Sequence, residues 1–328
     1  MAFRILVTAR SFGKVAGEHH TYLQANDCEI VLHAAAHPLT AAELAPLIAG
    51  VDGVILGLDV CDASVIASAD RLKVISRYGA GCDAVDLDAA ARHGIAVTNT
   101  PGANAIGVAE LTLGLMFALA RRLPTTISAA RGGEWLRPTG SELFGKTLGL
   151  VGFGMIGKEV AQRALALGLT VLTYDPYTSA VIPGVERVDL PDLLRRAHYV
   201  SLHAAATPET HDLINAERLA LMREGAYLIN TARGSLVDED ALYRALTAGT
   251  LAGAAVDALK ADPPPADHPL LALPNFFYTP HIGMTTDESV RRVALLAAHN
   301  LVAVLNGDPC AYVVNAALLR QYAEGTRP

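Results

Sequence analysis

The sequence predicts an α/β protein of two doubly wound parallel-sheet domains, the second inserted into the first. Three observations carry this. The 328 residues exceed what one hydrophobic core usually fills. Short β-branched runs alternate with helix-like segments through the first hundred residues, the pattern of a parallel sheet covered on both faces. A second series begins near Lys146, and one amphipathic helix is left over after its last strand.

In the first series Phe3–Thr8, Glu29–His33, Val54–Leu56, Val74–Ser76 and Ile95–Thr98 read as strands, and 41–49, 64–69 and 87–93 as helices. In the second, strands are expected at Thr147–Val151, Leu169–Tyr174, Tyr199–His203, Ala226–Asn230, Gly253–Asp257 and Phe276–Thr279. Thr285-Thr286-Asp287 then offers a helix cap, and Val290, Val293, Ala294, Ala297, Leu301 and Val304 recur at helical spacing until Gly307. This helix comes too late for the second sheet, so it is expected to return to the first domain. The domains are therefore placed at 1–100 plus 285–328 and at 101–284.

Composition excludes several classes of function. The chain is 52% hydrophobic and 18% charged, with a net charge of −7, a pI near 5.9 and no run of like charges. The electrostatic footprint of a nucleic-acid or acidic-membrane binder is missing. A small anionic ligand would need local positive groups. Cys28, Cys61, Cys82 and Cys310 lie far apart, with no CxxC pair and no histidine at metal-ligand spacing, so reduced thiols, no metal site and a cytoplasmic location are expected. Met1–Thr8 is too short an apolar run for a signal peptide, and Leu111–Ala120 is half a bilayer span, better read as a buried helix.

Strand Thr147–Val151 leads directly into Gly152-Phe153-Gly154-Met155-Ile156-Gly157, and Lys158–Leu167 continues as a helix that Gly168 ends. The glycines allow a tight turn, close approach of a pyrophosphate to backbone N–H groups, and close helix-on-strand packing, while the helix N-terminus supplies partial positive charge. Asp175 ends the next strand, where a carboxylate accepts bonds from ribose hydroxyls and repels a 2′-phosphate. The predicted second domain is thus a Rossmann domain for NAD rather than NADP, contacting it through Gly152, Gly154, Met155, Ile156, Gly157 and Asp175. The first domain is expected to be flavodoxin-like.

Three further segments follow strands: Asn230-Thr231-Ala232-Arg233-Gly234, Asp257 after Ala252-Gly253-Ala254-Ala255-Val256, and Thr279-Pro280-His281-Ile282-Gly283. With Arg77-Tyr78-Gly79-Ala80-Gly81 and Asn99-Thr100-Pro101-Gly102-Ala103-Asn104, collinear from about residue 50 to 305, the set resembles the D-2-hydroxyacid dehydrogenases, most of all their phosphoglycerate dehydrogenase-like branch. The resemblance implies that Arg233 binds a substrate carboxylate and polarises its 2-oxygen, and that His281 is the acid and base. It further implies carboxylate contacts from Arg77, Tyr78, Gly79, Ala80 and Gly81, with backbone N–H groups offered by the last three. Cofactor contacts are implied from Thr207, Pro208, Thr210, Thr231, Ala232 and Asp257, the last on the nicotinamide carboxamide. A homodimer through the nucleotide domain, with 110–120 and 131–135 near the interface, is also implied.

The sequence departs from that family in three places. Asp262, before Pro263, stands where a Glu usually orients the histidine; Ala205-Ala206 replaces Pro-Leu beside the adenine pocket; and Leu56 stands near the position of a phosphate-binding Arg. Phosphoglycerate, hydroxypyruvate and glyoxylate are therefore all candidate substrates for an NAD-dependent oxidoreductase of CH–OH donors. Two other readings are an NAD-sensing, corepressor-like binding protein and a phosphite- or formate-type dehydrogenase on the same scaffold.

Overall fold

In the computed structural model, which describes residues 2–14, 17–33, 35–179 and 182–324, the β-branched runs form strands and polar residues at helix starts cap several of the helices. The expected end points 1 and 328 lie outside the described residues. By contacts the chain divides into two units, Met1–Asn104 with Thr285–Pro328, and Ala105–Met284.

The first unit starts with β1 (Phe3–Val7), α1 (Glu18–Ala25), β2 (Cys28–Leu32), α2 (Ala41–Ile48), β3 (Gly53–Leu56), α3 (Ala63–Ala67), β4 (Val74–Arg77), α4 (Leu87–Arg92) and β5 (Ala96–Thr98). Its five strands are parallel in the order β2-β1-β3-β4-β5, the flavodoxin-like winding. Side chains start the helices: Thr40 and Glu43 form a reciprocal capping box on α2, Asp62 caps α3 and Asp86 caps α4. Helix α1 was not expected, because it buries only His19 and Leu23 and begins at Gly17 without a side-chain cap.

The second unit opens with α5 (Ala105–Ala120) and α6 (Leu123–Arg131). Ten of the 16 residues of α5 are buried, so the apolar block at 111–120 is a core helix, longer than expected by one and a half turns. Then come β6 (Thr147–Val151), α7 (Met155–Ala166), β7 (Thr170–Tyr174), β8 (Val185–Arg187), α8 (Leu190–Arg196), β9 (Tyr199–Leu202), α9 (Ala216–Leu221), β10 (Ala226–Asn230), α10 (Glu239–Thr247), β11 (Leu251–Val256) and β12 (Phe276–Tyr278). The sheet order is β12-β11-β10-β9-β6-β7-β8, all parallel, with one switch point between β6 and β9. This is the Rossmann order with one strand added. Two cores cover its faces, one around Leu193, Leu202, Leu228 and Leu242, the other around Met116, Leu150, Ala161 and Ile229.

The chain then returns to the first unit as α11 (Asp287–Asn306) and α12 (Ala316–Ala323). Thr286 accepts from Ser289 N–H at the start of α11, and Gly307, at φ 77°, ends it. Polar pairs fix α11 on the first sheet. Ser76 Oγ donates to the carbonyl of Ala297 and Asn300 Nδ2 to that of Asn99, each at 2.9 Å, worth about 1 kcal/mol apiece when buried. Among the described residues no helix is long and apolar enough to cross a membrane.

Candidate active site

Parallel register aligns Tyr174, Val151, Leu202, Asn230, Val256 and Tyr278 in one row across the second sheet. The residues that follow, Asp175, Gly152, His203, Thr231, Asp257 and Thr279, therefore emerge side by side at its carboxyl edge. With neighbouring strands about 4.8 Å apart, the row spans about 24 Å.

The glycine loop follows β6, beside Asp175 at the end of β7. Gly152 has φ 97°, and a Cβ there would sit 2.6 Å from the backbone of His203 and Ala204; a Cβ on Gly157 would sit 2.4 Å from the carbonyl oxygen of Gly152. Both positions therefore exclude a side chain. Gly154, at the start of α7, has open space where its Cβ would be, and Met155 and Ile156 begin the helix behind it. An anion can approach these N–H groups, so the loop fits a pyrophosphate. Asp175 accepts from Phe153 N–H and from Tyr177 N–H, both at 2.8 Å, which ties the loop to β7 and leaves further lone pairs on each oxygen. Beyond the switch point, Thr207 caps the turn Pro208–Thr210, and Thr210 Oγ1 accepts from Thr207 N–H at 2.8 Å.

After β10 the chain is folded by Asn230, whose side chain accepts from Ala232 N–H at 3.0 Å and donates to the carbonyl of Arg233 at 2.8 Å. The next residue, Thr231, bonds through its hydroxyl to that of Thr112 on α5 at 2.9 Å. Arg233, half-buried, also donates to the carbonyl of Ala232. Asn230 thus shapes the loop, a role not read from the motif that contains it, although an Asn closing a strand before a bend is a usable signal.

The β12 end of the row holds His281. Its backbone is left-handed, φ 53°, a conformation histidine tolerates better than most residues. The buried Asp257 holds it there: its carbonyl accepts from His281 N–H, and its carboxylate accepts from Thr279 Oγ1 (2.6 Å), Ile282 N–H (2.9 Å) and Gly283 N–H (2.8 Å). Burial raises the Asp257 carboxyl pKa against the pull of those bonds. Asp257 therefore organises the histidine loop, a role absent from the sequence reading, and one Oδ2 lone pair remains for a ligand.

Asp262 reaches His281 despite its short side chain. Its Oδ2 lies 2.6 Å from His281 Nδ1, with about a fifth to a quarter of both side chains exposed. A carboxylate at Nδ1 fixes the proton there and leaves Nε2 as the nitrogen open to exchange. The separation by 19 residues is closed because 257–262 and 279–281 follow adjacent strands.

In the first unit the 77–81 loop differs from expectation. Arg77 is buried and donates to the carbonyls of Leu56 and Tyr78, and the Tyr78 hydroxyl donates to the carbonyl of Val290 at 3.2 Å. The N–H of Gly79 is engaged by the carbonyl of Arg77 at 3.0 Å, so of the three expected backbone donors it is not offered to a ligand. Its own φ of 144° turns the chain back on Arg77. Among the described residues the N–H groups of Ala80 and Gly81 have no protein acceptor. Leu56 is fully buried in the core of this unit.

Residues 113–283 match the family model described as D-isomer specific 2-hydroxyacid dehydrogenase, NAD binding domain. D-3-phosphoglycerate dehydrogenase of Methanocaldococcus jannaschii is 44% identical over 76% of this chain and 49% of its own length; this chain thus spans about half of that relative. Glyoxylate reductase of Thermofilum pendens is 43% identical over 89% of this chain and 90% of its own. The crystal structure of the TT0316 protein from Thermus thermophilus superposes with a TM-score of 0.87 at 43% identity, covering 95% of this chain and 99% of that one. Identity sustained at this level across both units reaches well beyond the short motifs around Arg233 and His281, and the chain belongs to the D-isomer specific 2-hydroxyacid dehydrogenases.

Proposed function

We propose that this chain is an NAD-dependent dehydrogenase of small 2-hydroxy acids, working reversibly between the hydroxy and the keto acid. The observation that carries the reading is the 2.6 Å contact of Asp262 with His281 at the edge that also bears Arg233 and the glycine loop. NAD would be held by Gly152, Gly154, Met155, Ile156, Gly157 and Asp175, with Thr207, Pro208, Thr210, Thr231, Ala232 and Asp257 contributing, and when bound it supplies or accepts the hydride at substrate C2. Arg233 binds the substrate carboxylate and polarises the 2-oxygen with a planar fork of donors. His281 delivers a proton from Nε2 to that oxygen in reduction and removes it in oxidation, while Asp262 stabilises the imidazolium. In the 77–81 loop the N–H groups of Ala80 and Gly81 are the proposed carboxylate donors, with Arg77 and Tyr78 holding the loop in shape.

The similar proteins are named for phosphoglycerate and glyoxylate. Leu56, buried in an apolar core, offers nothing to a phosphate, so glyoxylate and hydroxypyruvate stand beside the phosphorylated acid as proposed substrates. NADH oxidation with these keto acids, with formate and phosphite as NAD-reducing controls, tests the reading. Turnover of at least one keto acid is expected. NADH binding without turnover of any would replace the enzyme with a nucleotide-sensing protein.

The proposed assembly is a homodimer through the second unit. Helix α6 buries none of its residues, and Phe117, Ile127, Trp135 (89% exposed) and Phe144 (75%) are left open over 117–144. Light scattering should give twice the 34.4 kDa chain mass. The thiols of Cys28 and Cys61, both buried and outside any disulfide, fit the proposed cytoplasmic location.

A further inference from the structure

The geometry points to Tyr278 as a positioning residue of the acid–base pair, the group that lets the short Asp262 serve where a longer acid is usual; this rests on the reading of Asp262 and His281 given above. Strand alternation on β12 turns Phe276 and Tyr278 toward one core and Phe277 toward the other, so the Tyr278 ring is gripped by packing. Its hydroxyl donates to Asp262 Oδ1 at 3.2 Å, while Asp262 Oδ2 meets His281 Nδ1 at 2.6 Å. Each carboxylate oxygen thus has its own partner, both supplied by the four-residue stretch 278–281.

This arrangement answers a mechanical problem. A carboxylate held by one imidazole alone can turn about its Cβ–Cγ bond, and the hold weakens each time the ring passes its proton on. A second donor on a stationary ring prevents the turn. Burial first, then the charge of Asp262 and the bond to it, push the Tyr278 phenol up to about 12, so it stays a donor throughout the working range of the enzyme.

The test is a double-mutant cycle of Tyr278→Phe and Asp262→Asn, reading kcat and KM for an accepted keto acid, NADH dissociation constant and melting temperature. Tyr278→Phe alone should lower kcat about tenfold, the scale of a sub-ångström misplacement, with KM and NADH affinity within about twofold of the wild type. In the Asp262→Asn background the same change should cost less than about twofold, because the partner it positions has gone. Tyr278→Leu repeats the loss of the donor in a second packing context, should the Phe variant be unstable. Full activity of Tyr278→Phe beside an inactive Asp262→Asn overturns this inference and leaves the pair intact. Equal losses in both backgrounds, or a fall in kcat matched by weaker NADH binding, assign Tyr278 a structural role and also overturn it. High turnover in Asp262→Asn removes the acid–base reading itself.

Discussion

The glycine loop and the histidine loop sit four strands apart on one sheet edge, after β6 and β12, and are built by opposite means. Gly152–Gly157 and Asp175 lie within 24 consecutive residues, and what they offer is chiefly backbone: N–H groups at a helix start and two positions that exclude a Cβ. His281 depends on side chains from three places, Asp257 beneath its backbone, Asp262 on its ring and Tyr278 on Asp262. A site made of backbone tolerates most substitutions except those that add bulk. A site made of side-chain contacts fails when any one of them is removed, and the failures are not additive.

The strongest way to break this comparison is at the histidine loop. His281→Ala and Asp262→Asn should each reduce turnover about 10²- to 10⁴-fold, the range of general acid–base catalysis. The double variant should lose little more, because members of one catalytic unit are non-additive. Multiplying losses in steady-state kinetics would mean that the two side chains act separately.

Next in size is Arg233→Lys, which keeps the charge and removes the planar fork. Turnover should fall about 100-fold with NADH affinity nearly unchanged, because the lost interaction is made in the transition state. Titration of NADH fluorescence alongside kcat decides it: a parallel loss of binding would make Arg233 part of the loop architecture that Asn230 supports.

How far the sequence revealed each region follows the same division. Strands such as Thr147–Val151 and Ala226–Asn230 were legible to the residue because β-branched apolar runs end at glycine or at a polar bend. Strand β8, Val-Glu-Arg with two of its three residues exposed, has no apolar run to read. Helices α8 and α10 went unread although Asp189 and Asp238 cap them by accepting from the N–H three residues on, a local signal that was available. Helix α12 buries nothing and gives no pattern. In the candidate site, Arg233 and His281 were singled out through motifs, and the glycine loop through local chemistry; the structure sets all three at the carboxyl edge of one sheet. Tyr278 and the loop-holding role of Asp257 were not singled out, since both act through hydrogen bonds that exist only once β11 and β12 lie side by side. The contact of Gly79 N–H with the carbonyl of Arg77 was illegible for a related reason: the sequence displays a donor but not the acceptor that the bend of the loop brings to it.

At the glycine loop the expected effect is smaller, because the role proposed for Asp175 is to select between cofactors and not to do chemistry. The wild type should prefer NADH, and Asp175→Ala should narrow that preference about tenfold by relieving repulsion of a 2′-phosphate. Loss of the bond to Phe153 N–H should in addition loosen the loop and lower kcat/KM for both cofactors alike. The ratio of kcat/KM values therefore reports charge, and their common fall reports loop order. Equal kcat/KM for NADH and NADPH in the wild type would falsify the assignment of Asp175 as the selecting group.

The smallest effect sharpens the comparison most, because it asks whether the shorter acid is a weakened site or a completed one. Asp262→Glu restores the side chain usual in the family and adds about 1.5 Å of reach. In this chain the added reach has nowhere useful to go, since Asp262 Oδ2 already lies 2.6 Å from the ring and Oδ1 is bonded to Tyr278. The longer chain must fold back on itself, losing the Tyr278 bond or pressing on His281. Turnover should stay within about threefold of the wild type or fall further, as small-to-large changes in filled sites generally do. A tenfold rise in kcat would mean that the 2.6 Å contact is not maintained during turnover. In Tyr278→Phe the space and the donor are both altered, so there Asp262→Glu should recover part of the lost rate. The same substitution with opposite signs in the two backgrounds would show that the aspartate and the tyrosine function as one fitted pair, which neither single variant can establish.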